Sequence, residues 1–261
     1  MARLSDKKRI VIKIGTSSLT HASGMLNIRR MEEFVKVLAD LKNSGKEIVL
    51  VSSGAIGIGM GKLAMSEKPK DTPTKQAVAA VGQCELMYFY DEQFSKYNHT
   101  VAQVLLTKDG VVPEDRRKNV INTLTRLLEM NSIPIINEND TVSVEEIEFG
   151  DNDTLSAIVA DLVSADLLII LTDIDGLYDS NPRKNPDAKL IPEVHGVDDR
   201  IISVAGGIGS KLGTGGMITK IHAAQIAEKS GFDMVIANGS DPDILYDLFE
   251  DKQVGTVFYA E

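Results

Sequence analysis

The chain has 261 residues, of which 43% are hydrophobic and 25% charged, and its formal net charge is -10. A chain of this length buries enough surface to fold without disulfides, and its single cysteine, Cys84, excludes an intrachain disulfide and a cysteine-cluster zinc site. The acidic balance argues against a nucleic-acid partner or an anionic membrane surface, and no apolar run approaches the ~20 residues of a spanning helix. We therefore expect a cytoplasmic protein without a targeting segment.

Short β-branched runs alternate with longer amphipathic stretches along the chain. The predicted strands are residues 10–14, 48–51, 101–106, 133–136, 167–171 and 234–236. The predicted helices are residues 27–43, 74–94, 114–130, 151–162, 216–229 and 241–249. Continuous apolar strands alternating with helices are typical of parallel sheets that are covered on both faces. The pattern predicts an α/β protein, a three-layer α/β/α sandwich with a central, mainly parallel sheet.

Two segments depart from this alternation. Residues 142–149 alternate apolar with polar side chains and predict an exposed hairpin or flap. Residues 179–199 carry three prolines and predict a long excursion from the sheet. Because composition does not break anywhere along the chain, we expect residues 1–261 to form one domain.

Polar or glycine-bearing loops follow most of the predicted strands and precede the late helix. They are residues 13–18, 52–59, 137–140, 172–176 and 213–220. Ligands bind at the carboxyl ends of parallel strands, where glycine lets backbone N–H groups approach an anion closely. Any one of these loops also fits a tight turn, but several at one sheet edge indicate a site for a phosphorylated ligand. Neither the P-loop motif nor the dinucleotide-binding fingerprint is present.

Individual residues of these loops admit two interpretations each. Lys13, within the first apolar run, is either a paired buried cation or an edge-strand lysine that reaches solvent. Lys220 lies in the first turns of a helix, where it either faces an anion or is solvated. Residues 151–153 are site residues or a helix N-cap, and residues 137–140 are site residues or a polar turn. The four histidines have no metal-ligand spacing, so we expect no protein-held metal.

Taken together, the loops resemble those of the amino-acid kinase family. The segments that carry the resemblance are residues 11–17, 51–56, 136–140, 149–153, 171–173, 176–178 and 213–217, with Lys220. The Lys-x-Gly start and the Gly-Thr-Gly-Gly-Met loop indicate the family. Three further segments resemble those of the branch of this family that acts on glutamate: Ser-Gly-Ala-Ile, Asn-Glu-Asn-Asp and Phe-Gly-Asp-Asn-Asp. The resemblance implies ATP-dependent phosphorylation of the γ-carboxylate of L-glutamate to L-glutamyl 5-phosphate, the first step of proline biosynthesis, with proline as feedback inhibitor.

The resemblance also implies a role for each matching residue. The implied catalytic residues are Lys13, Asp153 and Lys220, with Asp153 holding the two lysines against the ATP phosphates. The implied ATP site comprises Lys13, Thr172, Asp173, Thr214, Gly215, Gly216, Met217, Ile218, Thr219 and Lys220. The implied glutamate site comprises Ser53, Gly54, Asn137, Asp140 and Asn152.

At the level of the whole chain, the resemblance implies an amino-acid substrate lobe over about residues 1–165 and a nucleotide lobe over about 166–261. It implies Mg²⁺ on the ATP phosphates and a homo-oligomer, either a dimer or a tetramer. Many bacterial members carry an additional C-terminal PUA domain, for which a chain ending at Glu261 leaves no room.

Two alternatives remain at this point. The first is another kinase of the family, with acetylglutamate, aspartate, carbamate or a nucleoside monophosphate as acceptor. The second is a sensor that binds a nucleotide or an amino acid without catalysis, although Lys13, Asp153 and Lys220 favour phosphoryl transfer.

Overall fold

The computed structural model describes residues 3–21, 23–142, 151–206 and 216–260. It confirms the predicted α/β class, with eight strands in these ranges, mainly parallel and flanked by helices. The chain forms two compact units. We call Ile14–Phe149 the middle unit, and Met1–Lys13 together with Gly150–Glu261 the terminal unit. The substrate and nucleotide lobes expected over residues 1–165 and 166–261 stay a prediction.

The elements follow one another in the predicted order. The strands are β1 (Arg9–Ile14), β2 (Glu47–Ser52), β3 (Val101–Leu106), β4 (Ile133–Glu138), β5 (Leu167–Thr172), β6 (Glu193–His195), β7 (Asp233–Asn238) and β8 (Thr256–Tyr259). The α-helices are α1 (Thr16–Leu19), α2 (Ile28–Asn43), α3 (Ala55–Lys62), α4 (Thr72–Ser95), α5 (Lys108–Val111), α6 (Glu114–Glu129), α7 (Asn152–Leu162), α8 (Asp199–Gly206), α9 (Met217–Ser230) and α10 (Ile244–Phe249). All the predicted strands and helices are confirmed, with ends displaced by a few residues at most. The sequence did not predict strands β6 and β8 or the helices α1, α3, α5 and α8.

In the middle unit, the strands lie in the order β3-β4-β2 and both pairings are parallel. Helix α2 begins after Asn27, whose side chain accepts a hydrogen bond from the backbone N–H of Arg30, and it buries the apolar face that its periodicity predicts. Helix α4 contributes Tyr90 and Phe94, which stack on each other in the core. The Tyr90 hydroxyl lies 2.9 Å from the Ser52 hydroxyl at the end of β2. Burial raises the pKa of Tyr90 well above its usual value, so both groups stay neutral.

Helix α3 corrects the sequence prediction, which had placed its first residues in a glycine-bearing loop over 52–59. A Cβ atom at Gly82 of α4 would lie 1.7 Å from the carbonyl oxygen of Ala55, and one at Gly59 would lie 2.0 Å from that of Val78. The backbones of α3 and α4 are therefore in direct contact, with no room for a side chain between them. Glycine disfavours isolated helices, but here the helix–helix contact requires it.

In the terminal unit, the strands lie in the order β1-β5-β7-β8-β6, and β8 is antiparallel to β7. The excursion over residues 179–199 returns through an isolated bridge between Tyr178 and Leu190 and then forms β6, which the sequence did not predict. Thr256 of β8 joins both ends of the excursion, accepting a hydrogen bond from the Leu177 N–H at 2.8 Å and donating to the Ile191 carbonyl at 2.6 Å.

Of the flap predicted over residues 142–149, only Val142 lies within the described ranges, and it is exposed. No helix in those ranges has the length and apolar character that crossing a membrane requires.

Candidate active site

Three charged side chains meet in the interior of the terminal unit. The Oδ1 atom of Asp153 lies 2.8 Å from Nζ of Lys13, and its Oδ2 atom lies 2.9 Å from Nζ of Lys220. The side chains of Lys13, Asp153 and Lys220 are 10%, 0% and 4% exposed. Both lysines are therefore paired buried cations, and the solvated alternatives for them are wrong. Two cations and one anion leave the cluster with a net charge of +1.

Local sequence explains how each group reaches the cluster. Lys13 lies among fully buried apolar residues of β1. Helix α7 is capped by Asp151, whose side chain accepts a hydrogen bond from the Thr154 N–H at 2.8 Å, so that Asp153 lies in the first turn. Helix α9 packs against α7 and contributes Lys220 from its own first turns. The N-cap interpretation is thus confirmed for Asp151, whereas Asp153 belongs to the cluster and its role in a site stays a prediction.

The lysines keep Asp153 ionised. Burial alone would raise the pKa of Asp153, but the two lysine ammonium groups outweigh it and hold that pKa below its usual value. The Thr219 hydroxyl lies 2.8 Å from Oδ2 of Asp153 and 2.7 Å from the Gly216 carbonyl oxygen, and its single proton serves one of the two acceptors. At neutral pH, Asp153 is accordingly a fixed anion and a poor proton acceptor.

We expect Asp153→Asn to lower the free energy of unfolding by about 3–5 kcal/mol at pH 7, because it leaves two buried lysines without their anion. The folded-state pKa is depressed, so the stabilisation is present above the unfolded-state pKa near ~4 and is lost as pH falls through the lower folded value. Urea unfolding of both proteins at pH 7, 5 and 3.5 measures the difference. It should be equal at the first two pH values and smaller at the third; a constant difference would contradict the assignment.

The other described residues of the predicted ATP site lie at the end of β5 and at the start of α9 in the same unit. Thr172 ends β5, and its carbonyl oxygen accepts a hydrogen bond from the Gly239 N–H at 2.8 Å. Asp173 follows it and pairs with Arg183 at 3.1 Å on the surface. Gly216 is the N-cap residue of α9, in which Met217, Ile218 and Thr219 form the first turn. Thr214 and Gly215 lie outside the described residues. Nucleotide contacts by this set remain a prediction.

Four of the five residues predicted for the glutamate site belong to the middle unit. Ser53 and Gly54 link β2 to α3, with Gly54 at a φ of 109°, where an L side chain would be strained. Asn137 is buried near the end of β4, and Asp140 follows in a half-buried turn, so the polar-turn interpretation holds for the end of this segment. Asn152 is the first residue of α7 in the terminal unit. Their contacts with a substrate remain a prediction.

Sequence reasoning missed one polar residue of the middle unit. Gln83 of α4 is 7% exposed, and its Oε1 accepts a hydrogen bond from Nδ2 of Asn137 at 2.9 Å. A polar side chain directly after the apolar run 77–82 was the only signal, and helical periodicity does not distinguish it from a surface position. Within the described ranges, no group of three or more His, Cys, Asp or Glu side chains is arranged to hold a metal ion.

Comparison with known proteins identifies the family to which the chain belongs. The model of a family described as "Amino acid kinase family" matches residues 8–238. Glutamate 5-kinase of Clostridium perfringens (strain 13 / Type A) is 54% identical over 262 residues, covering 99% of this chain and 97% of the relative. Glutamate 5-kinase of Listeria innocua serovar 6a is 52% identical, covering 99% and 95%. The similarity therefore extends over nearly the whole length of both chains.

Solved structures show the same fold at low sequence identity. Carbamate kinase from Giardia lamblia bound to AMP-PNP is 18% identical, with a TM-score of 0.69 over 98% of this chain and 100% of that one. UMP kinase from Bacillus anthracis is also 18% identical, with a TM-score of 0.66 over 98% and 97%. The fold is shared across different substrates, whereas the sequence similarity selects one branch. The chain therefore belongs to the amino acid kinase family and, within it, to the glutamate 5-kinases.

Proposed function

We propose that this protein transfers the γ-phosphoryl group of ATP to the γ-carboxylate of L-glutamate, forming L-glutamyl 5-phosphate and ADP at the first step of proline biosynthesis. The observation that carries the proposal is the buried cluster of Lys13, Asp153 and Lys220, whose net charge of +1 suits a polyphosphate. Full-length similarity to glutamate 5-kinases supports the choice of acceptor.

The chemistry of the acceptor explains why cations matter more than a base. The γ-carboxylate has a pKa near ~4.3 and is already ionised at neutral pH, so no proton has to be removed. One of its oxygens attacks the γ-phosphorus while the bond from that phosphorus to the ADP oxygen breaks. The difficulty is the approach of one anion to another, so catalysis consists mainly of positioning and of charge neutralisation.

In this proposal the two lysines contact the phosphates and Asp153 holds them in place. A buried carboxylate between two ammonium groups restricts their side-chain rotation before the substrate arrives, which reduces the reorganisation needed during the reaction. The remaining members of the proposed ATP site are Thr172, Asp173, and residues 214–219. ATP enters as its Mg²⁺ complex, because the phosphates themselves supply oxygen ligands to the ion.

The amino-acid site in this proposal comprises Ser53, Gly54, Asn137, Asp140 and Asn152. A carboxylate such as Asp140 is suited to the α-ammonium of glutamate, whereas backbone N–H, hydroxyl and amide groups are suited to its carboxylates. Proline has the same α-carboxylate and a cationic nitrogen beside it, so we propose that it competes for this site. We also propose that the protein works in the cytoplasm as a homo-oligomer, either a dimer or a tetramer.

The test is ADP release from ATP·Mg²⁺ with glutamate, acetylglutamate, aspartate, carbamate and UMP as separate acceptors, with hydroxylamine to trap an acyl phosphate. We expect glutamate to give both ADP and the hydroxamate, and proline to inhibit at subsaturating glutamate. Asp153→Asn, assayed in parallel, checks that the activity belongs to this protein. Turnover of another acceptor with none of glutamate would overturn the assignment, and ATP binding without turnover of any acceptor would indicate a sensor.

A further inference from the structure

The orientation of two buried amides leaves the amide nitrogen of Gln83, Nε2, without an acceptor among the described residues. The backbone N–H of Glu138 donates to Oδ1 of Asn137 at 2.9 Å, so Nδ2 of Asn137 is the atom that faces Gln83. Oε1 of Gln83 accepts that hydrogen bond, and a flipped Gln83 amide would bring two donors together. Nε2 of Gln83 therefore points away from Asn137. It is buried and has no hydrogen-bond acceptor among the described residues.

The position of Gln83 connects two segments of the proposed glutamate site. Its side chain contacts Asn137 near the end of β4, three residues before Asp140. The preceding residue, Gly82, lies against the backbone of Ala55, which directly follows Ser53 and Gly54. Two neighbouring residues of α4, Gly82 and Gln83, thus contact both segments, and the amide nitrogen without an acceptor is that of Gln83.

We propose that Nε2 of Gln83 donates to the α-carboxylate of the amino-acid substrate, an inference that rests on the proposed function. A buried amide donor without an acceptor is unfavourable, and a carboxylate oxygen is a strong acceptor that satisfies it. The α-carboxylate is one carbon from the α-ammonium that Asp140 is proposed to bind, whereas the reacting γ-carboxylate lies at the other end of the molecule. Gln83 is then a determinant of specificity for free α-amino acids.

Two variants separate the donor from the acceptor of this amide. Gln83→Met removes both at similar volume, whereas Gln83→Glu keeps an oxygen for Asn137 and replaces the donor by an oxygen that repels a carboxylate. The proposed hydrogen bond to the α-carboxylate is present both in the bound substrate and in the transition state, so its loss weakens both to the same extent. We therefore expect KM for glutamate to rise about 10- to 100-fold, with kcat and KM for ATP nearly unchanged. Gln83→Glu should show the larger increase.

Gln93 provides the matched control. It lies on the same helix, is 4% exposed and accepts a hydrogen bond from Lys96, but it is ten residues further on, about 15 Å along the helix axis. Gln93→Met should leave KM for glutamate unchanged. If Gln83 only supported the fold, its variants would lower kcat, raise both KM values and lower Tm together.

The outcomes distinguish the two levels of the proposal. A wild-type protein that forms no glutamyl phosphate overturns the proposed function and this inference with it. A wild type that works, with Gln83 variants whose KM for glutamate stays at the wild-type value or changes only in parallel with KM for ATP, overturns the inference alone. NMR of wild-type protein labelled with ¹⁵N at glutamine side chains needs no variant. The assigned Gln83 NH₂ signals should move with glutamate and not with a nonhydrolysable ATP analogue; unmoved signals contradict the contact.

Discussion

Lys220→Met is expected to lower kcat for glutamyl phosphate formation by about 10²- to 10³-fold, with a much smaller change in KM for glutamate. The ammonium group of Lys220 is buried and held 2.9 Å from Asp153, so its charge acts in surroundings with few water dipoles. There, its attraction for the charge that develops on the transferring phosphoryl group is weakly screened. Methionine has a similar length and keeps the packing, but it carries no charge.

The same helix supplies the control for this measurement. Lys229 lies in the last turn of α9 and is exposed, so Lys229→Met removes an equal charge far from the cluster. Steady-state kinetics of both variants, with circular dichroism to verify folding, distinguish a local effect from a general effect of net charge. Near-normal kcat in Lys220→Met, or equal losses in both variants, would show that Lys220 does not stabilise the transition state.

Gly82→Ala is expected to lower the free energy of unfolding by about 3 kcal/mol, one of the larger effects available to a single methyl group. Its Cβ atom would lie 1.7 Å from the carbonyl oxygen of Ala55 and 2.5 Å from the backbone nitrogen of Gly59. Both neighbours are backbone atoms of α3, so the two helices have to move apart. For a chain of this size the loss corresponds to a decrease in Tm of about 6–12 °C.

Gly206→Ala is the matched control, because it adds the same methyl group to a helix where no atom of the described residues lies within 4 Å of it. Its effect should stay within about 0.5 kcal/mol. Urea unfolding of the two variants gives the comparison directly. Since α3 begins directly after Ser53 and Gly54, Gly82→Ala should also raise KM for glutamate more than KM for ATP. Equal stability of the two alanine variants would mean that α3 and α4 are not in backbone contact.

Apolar periodicity predicted the long elements because burial determines both the pattern and the fold. Helix α2 is an example: the residues spaced for one helical face are those that the structure buries. Helix α3 and strand β6 are two of the elements that the sequence did not predict, and their reason is different. The glycines of α3 are explained only by the backbone of α4, and β6 is three residues long and pairs with a strand more than 60 residues later. Partners that are distant in sequence leave no local signal.

The candidate site, like the fold, was predictable from the sequence only in part. The chemistry of Lys13 and Lys220 was evident from their positions, yet each admitted a solvated alternative, because pairing with Asp153 requires three elements that only the folded chain brings together. Gln83 could not be recognised at all. That Nε2 of Gln83 has no acceptor is inferred from the directions of two hydrogen bonds, from Glu138 to Asn137 and from Asn137 to Gln83. The orientation of an amide group is a property of the folded chain and not of the sequence.

The division into units has a consequence for how the chain is made on the ribosome. The middle unit is continuous in sequence, so its strands and helices are all available once Phe149 has been synthesised. The terminal unit combines residues 1–13 with residues 150–261. Strand β1 can pair with β5 only after residues 15–166 and β5 itself have been synthesised. Of the three side chains of the cluster, Lys13 is synthesised first and Lys220 last. A nascent or truncated chain that ends before α9 therefore contains the anion and one cation but has no net positive charge at this position with which to attract a nucleotide.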